Sequence, residues 1–159
     1  MRIERGECSD HAEIMNEMSL GIRSSNENEA FARNCVCAFV SALNPKISEM
    51  EDVKTAVSEA FTNCVVHAYG VGKEGEIYIN VSLFRTSARI VIRDCGRGII
   101  DLERAIQPFY TSMPEEDRSG MGFTIMETFM SGMRVESDER GTTVTLYKVF
   151  DDKTDSGQC

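Results

Sequence analysis

Three side chains spaced four residues apart are the first candidates for chemistry in this chain. Glu59, Asn63 and His67 form the pattern E-x-x-x-N-x-x-x-H within residues 53–69. On a helix such residues form a slanted row, with a rise of roughly 6 Å between neighbours. A carboxylate, an amide and an imidazole can then face one cleft together. Two glycine patterns follow, Asp94-Cys-Gly96-Arg-Gly98 and Ser119-Gly120-Met121-Gly122. Glycines let a backbone turn sharply and approach a flat ligand closely. A carboxylate at Asp94 could accept a hydrogen bond from an exocyclic amine such as that of adenine. Gly120 and Gly122 precede Phe123-Thr-Ile-Met126, and open amides at a helix start attract anions. Order and spacing together suggest a nucleotide site made from a helix, a loop and a second helix start. Taken singly, each pattern has a plainer reading. The triplet fits the solvated edge of an amphipathic helix, Asp94 a strand-ending turn, and Gly120 a loop-to-helix junction. No G-x-x-x-x-G-K-[ST] is present, and Gly96-x-Gly98 lacks a third glycine three residues later. Phosphate-loop and dinucleotide folds are therefore disfavoured.

The elements that must carry these residues can be read from periodicity. Val53, Ala56, Val57, Ala60, Phe61, Cys64, Val65 and Ala68 recur at three- and four-residue spacing, which predicts one helix from about 48 to 69. Ser48-x-x-Glu51 is a capping-box pattern at its start, and Gly70 is a stop. Residues 18–22 alternate as a strand. Ser24-x-x-Glu27 precedes a helix whose apolar side is Phe31, Cys35, Ala38, Phe39 and Ala42, ending near Pro45. Residues 77–83 and 88–93 alternate as a hairpin that delivers Asp94 to a strand end. A short helix is expected over 101–107, an exposed mobile loop over 108–119, a helix over 120–130, and a last hairpin from 133–137 and 142–148. Hairpins with helices between them predict an α+β two-layer sandwich: a mostly antiparallel mixed sheet with helices on one face. One domain is expected over 17–150, between a flexible N-terminal extension, 1–16, and a polar tail, 151–159.

A net charge of −9 argues against nucleic acid as a partner, which needs a basic footprint. It leaves ATP open, because local amides and a few basic side chains suffice for phosphates. No apolar run reaches membrane-spanning length, and the charged N-terminus has no apolar signal region, so a cytoplasmic protein is expected. There is no C-x-x-C pair. Cys35 and Cys37 would point to nearly opposite sides of a helix, which disfavours zinc there. Cys64 falls on an apolar helix face as a small core residue. Scattered cysteines without a signal region suggest free thiols.

Together, the three patterns resemble the ATPase family that includes DNA gyrase, Hsp90, histidine kinases and MutL, over about residues 18–150. Glu59-x-x-x-Asn63 is similar to that family's N box, Asp94-x-Gly96-x-Gly98 to its adenine loop, and Gly120-x-Gly122 to the loop beyond its ATP lid. A narrower resemblance, to the sporulation anti-sigma F factors, rests on Asn28-Glu-Ala-Phe-Ala-Arg33, Val57-Ser-Glu-Ala-Phe-Thr-Asn63 and Glu116-Asp-Arg-Ser-Gly-Met-Gly-Phe-Thr-Ile-Met-Glu127. This resemblance implies a Bergerat-type ATP-binding fold and a homodimeric serine kinase. Such a kinase holds a sigma factor inactive and phosphorylates a serine of an anti-anti-sigma protein. It implies Glu59 as general base, Asn63 as the ligand of Mg²⁺, and Asp94 as the adenine-binding carboxylate above Gly96 and Gly98. Thr142 would support adenine, and Arg118 would reach the γ-phosphate from the lid. Gly120, Met121 and Gly122 would line the phosphates, and Glu29 and Arg33 would form the surface for both protein partners. Apart from the resemblance, Glu29 and Arg33 fit a solvated helix pair. The chain departs from the family in its longer N-terminal extension, in Cys95 within the adenine loop, and in a hairpin turn before Gly141 one residue short. Three other functions fit parts of the pattern: an anti-sigma kinase of a stress pathway, a histidine-kinase catalytic domain and a binding-only module. Only His11 and His67 exist, with no helical hairpin carrying an acceptor histidine, and Glu59 argues against binding alone.

Overall fold

A computed structural model describes residues 1–8, 11–70, 73–109 and 120–152. Their strands form one six-stranded sheet. Strand β1 is Arg2–Gly6 and β2 is Asn16–Arg23. Helices α1, Glu29–Val40, and α2, Ile47–Asn63, follow. The hairpin β3, Glu76–Leu83, and β4, Ser87–Asp94, comes next. After short α3, Leu102–Ala105, and α4, Gly122–Phe129, the chain closes with β5, Gly132–Asp138, and β6, Gly141–Val149. The strand order is β1-β5-β6-β4-β3-β2, and every pairing is antiparallel. The expected two-layer α+β sandwich is therefore present, without the parallel component that a mixed sheet would have.

Period-two alternation decides which side of each strand meets the helices. Ile77, Ile79 and Val81 of β3, Ala88, Ile90 and Ile92 of β4, and Val144 and Leu146 of β6 are buried in one core. Their neighbours in sequence, such as Tyr78 and Arg93, point to the opposite face and are exposed. Val53, Ala56, Val57, Ala60 and Phe61 of α2 fill the same core. Each such large apolar side chain contributes roughly 1.5–3 kcal/mol on burial. Lys148 pins the layers from within. Its Nζ donates to Asp52 Oδ2 of α2 at 2.8 Å and to the carbonyl of Phe129, the last residue of α4, at 2.7 Å.

Four local expectations change. The buried side of α1 is Ala32, Val36 and Val40, while Phe31 and Ala38 are exposed. An apolar count cannot choose between two adjacent stripes; packing against α2 does. The start of α2 is held by Glu49, whose Oε2 accepts from the Lys46 N–H at 2.7 Å, rather than by Ser48 and Glu51. Helix α2 ends its α-helical run at Asn63, and Cys64–Tyr69 widens into a π-helical turn that stops at Gly70, φ 84°. Lastly, Arg2–Gly6 is not a loose extension but the edge strand beside β5, with Ile3 packed on the core.

Candidate nucleotide site

All three patterns meet along α2. Glu59 and Asn63 sit one turn apart on it, both half-buried. Gly122, the first residue of α4, lies directly over them. A Cβ on Gly122 would stand 3.2 Å from Glu59 Oε2 and 3.3 Å from both Asn63 Nδ2 and Oδ1. Any side chain there would press on the pair, so glycine keeps open the space where the start of α4 faces a carboxylate and an amide. Gly120 adopts φ 65°, a left-handed turn that favours glycine and swings the chain into α4. The lid arginine expected at Arg118, and most of the lid, 110–119, lie outside the described residues.

Asp94 ends β4 and is 3% exposed. Its Oδ1 accepts from the Gly96 N–H at 2.9 Å and the Thr142 N–H at 3.1 Å. The Cys64 thiol of α2 donates to it as well. Burial nevertheless pushes its carboxyl above the usual aspartate range, outweighing those donors. Burial, and then the Asp94 charge, pushes the Cys64 thiol well up, so Cys64 is an inert core donor rather than a reactive nucleophile. Gly98 turns at φ 69°, and a Cβ there would come within 1.9 Å of the Asp138 carbonyl. Gly141 is equally constrained: its Cβ would meet the Asp94 carbonyl oxygen at 2.1 Å. The loop that follows β4 thus lies flat on the β5–β6 hairpin.

The π turn of α2 does what the sequence did not reveal. Residues freed from regular i→i−4 pairing offer their groups to the loop, a common use of such turns at functional sites. The carbonyl of His67 accepts from Arg97 Nε at 2.8 Å, and that of Ala68 from the Arg97 N–H at 3.2 Å. Tyr69 Oη accepts from the Cys95 N–H at 2.7 Å and donates to the Glu76 carbonyl at 2.7 Å. His67 therefore lies in the π turn rather than on the α-helical run that carries Glu59 and Asn63, and its carbonyl serves the loop. Ser137 was also missed. Its hydroxyl accepts from the Ile99 N–H at 2.7 Å and pairs with Thr142 Oγ1 at 2.9 Å. Tyr69 and Arg97 flank motif residues but carry no pattern of their own, and Ser137 reads as one more strand residue.

Glu29 and Arg33 lie on α1 and face α2. Arg33 Nη1 is 3.4 Å from Glu29 Oε1 and donates to Ser58 Oγ at 3.3 Å, and the Ser58 hydroxyl in turn donates to Glu29. Both side chains are about three-quarters covered, and Arg33 Nε is buried with no hydrogen-bond partner. The pair is wedged against the residue before Glu59 rather than spread on a solvated face. The one-residue rotation of the buried stripe on α1 causes this.

The glycine that spares the Glu59–Asn63 pair and the buried Asp94 beside a flat loop fit a nucleotide, with Asn63 supplying an amide oxygen suited to a hard cation. Sheet, helices and loops together define a histidine kinase-like ATPase. The family model described as "Histidine kinase-like ATPase domain" matches residues 22–148. Among curated proteins, an anti-sigma F factor of Clostridium botulinum is 50% identical over 136 residues, covering 85% of this chain and 95% of that protein. The anti-sigma F factor of Bacillus subtilis is 48% identical, covering 85% and 93%. The chain belongs to the anti-sigma F factors of the histidine kinase-like ATPase family. Solved structures support the fold. The RsbU and RsbW domains of a Mycobacterium tuberculosis protein align with a TM-score of 0.62 at 19% identity, over 86% of this chain and 33% of that one. The catalytic domain of the histidine kinase ThkA aligns at 0.53 and 16% identity, over 86% and 97%.

Proposed function

We propose that this chain is a cytoplasmic, ATP-dependent protein serine kinase that also binds and restrains a sporulation sigma factor, with an anti-anti-sigma protein as phosphate acceptor and a homodimer as the working form. The observation that carries the kinase reading is the placement of Gly122 over Glu59 and Asn63. It leaves a carboxylate at the mouth of the phosphate site, where a serine hydroxyl from a partner can approach. Glu59 takes the proton from that hydroxyl as its oxygen bonds to the γ-phosphorus, the bond from that phosphorus to the β,γ-bridging oxygen breaks, and ADP leaves. Asn63 would provide an oxygen to hold Mg²⁺, which when bound would offset triphosphate charge. Asp94 accepts from the adenine amine, with Gly96 and Gly98 keeping the loop flat beneath the base. Gly120, Met121 and Gly122 would offer main-chain amides to the phosphates, and Arg118, outside the described residues, would supply a cation for the γ-phosphate.

In the test, labelled Mg-ATP is incubated with the protein and a candidate acceptor, and the phosphoamino acid is identified. Phosphoserine on the acceptor is expected. Glu59→Gln should retain ATP binding and lose about 10²–10⁴-fold in transfer, the usual contribution of a positioned base. Near-normal transfer by that variant removes Glu59 from the mechanism, and transfer to histidine overturns the serine assignment.

A further inference from the structure

Strand β1 lies ahead of the segment 22–148 that the family model matches, yet it reaches the nucleotide loop. Its register with β5 runs from Arg2↔Glu136 to Gly6↔Gly132. One residue further, the Ser137 N–H donates to the Met1 carbonyl at 2.9 Å, and the Met1 nitrogen donates to the Ser137 carbonyl at 2.8 Å. Ser137 is the residue whose hydroxyl holds the Ile99 N–H and Thr142. Met1 also lines a groove with Arg97, Ile99 and Ile100 of the same loop, and α3, which follows that loop, packs beside β1.

Resting on the nucleotide-site reading above, we propose that β1 is a positioning element for the adenine loop. By pairing both main-chain groups of Ser137, it holds β5 extended to its last residues. The Ser137 hydroxyl is thereby kept under Ile99 and beside Thr142. Without β1 the end of β5 becomes a free sheet edge, and such edges fray. The exposed ion pairs of β1 do not carry this role. Arg2–Glu136, at 3.8 Å, and Arg5–Glu127, at 3.9 Å, join side chains that are about half exposed, where such pairs contribute little. The anchors are the ladder, Ile3, which packs on the core, and Glu4, which accepts from Nε of the largely covered Arg134 of β5.

The experiment compares the full chain with a variant lacking residues 1–7 and with the full-length variant Ile3→Asp. Amide hydrogen exchange is read at Ile99, whose acceptor is Ser137, and at Ile90 and Ile92 in the sheet interior. ATP affinity is measured in parallel. Both variants should exchange faster at Ile99 with the interior amides unchanged, and should bind ATP about three- to tenfold more weakly, as expected for one or two lost hydrogen bonds. Unchanged exchange at Ile99, or equal loss of protection at Ile90 and Ile92, overturns the proposal, as does unaltered ATP affinity. If the intact chain itself binds no ATP, the nucleotide-site reading fails instead; faster exchange confined to Ile99 would still show the brace.

Discussion

Asp94 sits among three donors, the Gly96 and Thr142 amides and the Cys64 thiol, and still has its carboxyl pushed upward by burial. The sign of the consequence follows. A raised value in the folded state means that protonation favours the fold. The stability this group contributes is fully present below its unfolded value and is lost as pH rises through the folded value. Adenine binding runs the other way, because the exocyclic amine needs an acceptor. Affinity for an ATP analogue should therefore decline as pH is lowered, beginning above the range where an ordinary aspartate titrates. Asp94→Asn should bind more weakly at neutral pH and lack that step. Fluorescence titration between about pH 7 and 4 checks both points, a range that spans the ordinary carboxylate values. A wild-type profile without the step would separate Asp94 from base recognition.

Lys148 shows how one buried charge joins elements. Its side chain is 11% exposed, and it links β6 to Asp52 on α2 and to the carbonyl end of α4. A cation at that end also favours the helix dipole. Lys148→Met keeps the apolar stem but leaves Asp52 and the Phe129 carbonyl without their donor. The expected loss is about 1–3 kcal/mol in urea unfolding, the range for a buried group deprived of its partner. Because α4 begins at Gly122, ATP affinity should fall as well. A variant as stable as the parent would mean that water replaces the ammonium at no cost. The π turn works at the same scale. Six residues of altered winding, Cys64–Tyr69, convert the end of a core helix into the seat of the loop that follows β4.

At the scale of the molecule, the proposed partner surface on α1 abuts α2, the helix that carries the proposed active site. Arg33 and Glu29 of α1 grip Ser58, and Glu59 is the next residue. A partner carboxylate that captures the Arg33 guanidinium would exchange one ion pair for another beside α2. Arg33→Glu would replace that attraction with repulsion and also set two carboxylates together on α1. Both the sigma factor and the anti-anti-sigma protein should then bind at least about tenfold more weakly, since close charge pairs across interfaces couple by about 1.5 kcal/mol or more. ATP affinity, measured alongside, separates a lost surface from a lost fold. Undiminished binding of both partners would place the interface elsewhere. Among the described residues no helix is long and apolar enough to cross a membrane, and the chain carries a net charge of −9.

Periodicity by itself placed α2, the β3–β4 hairpin, the β5–β6 hairpin and the start of α4, because a one-sided core imposes its spacing on whatever sequence builds it. Residue type and order likewise brought Glu59, Asn63, Asp94, Gly98 and Gly122 together as candidates, since glycine and carboxylate chemistry is local. The phase of α1 was not legible, although that of α2 was. Phe31 and Ala32 compete for one inward position on α1, and only contact with α2 buries Ala32 and leaves Phe31 at 56% exposure. Nor was the role of β1, whose alternation of charge reads as a solvated tail until β5 offers it an edge. The same holds for Tyr69, Arg97 and Ser137. Their function lies in main-chain and hydroxyl contacts across 26 to 38 residues of sequence, and separations of that size are closed by the tertiary fold alone.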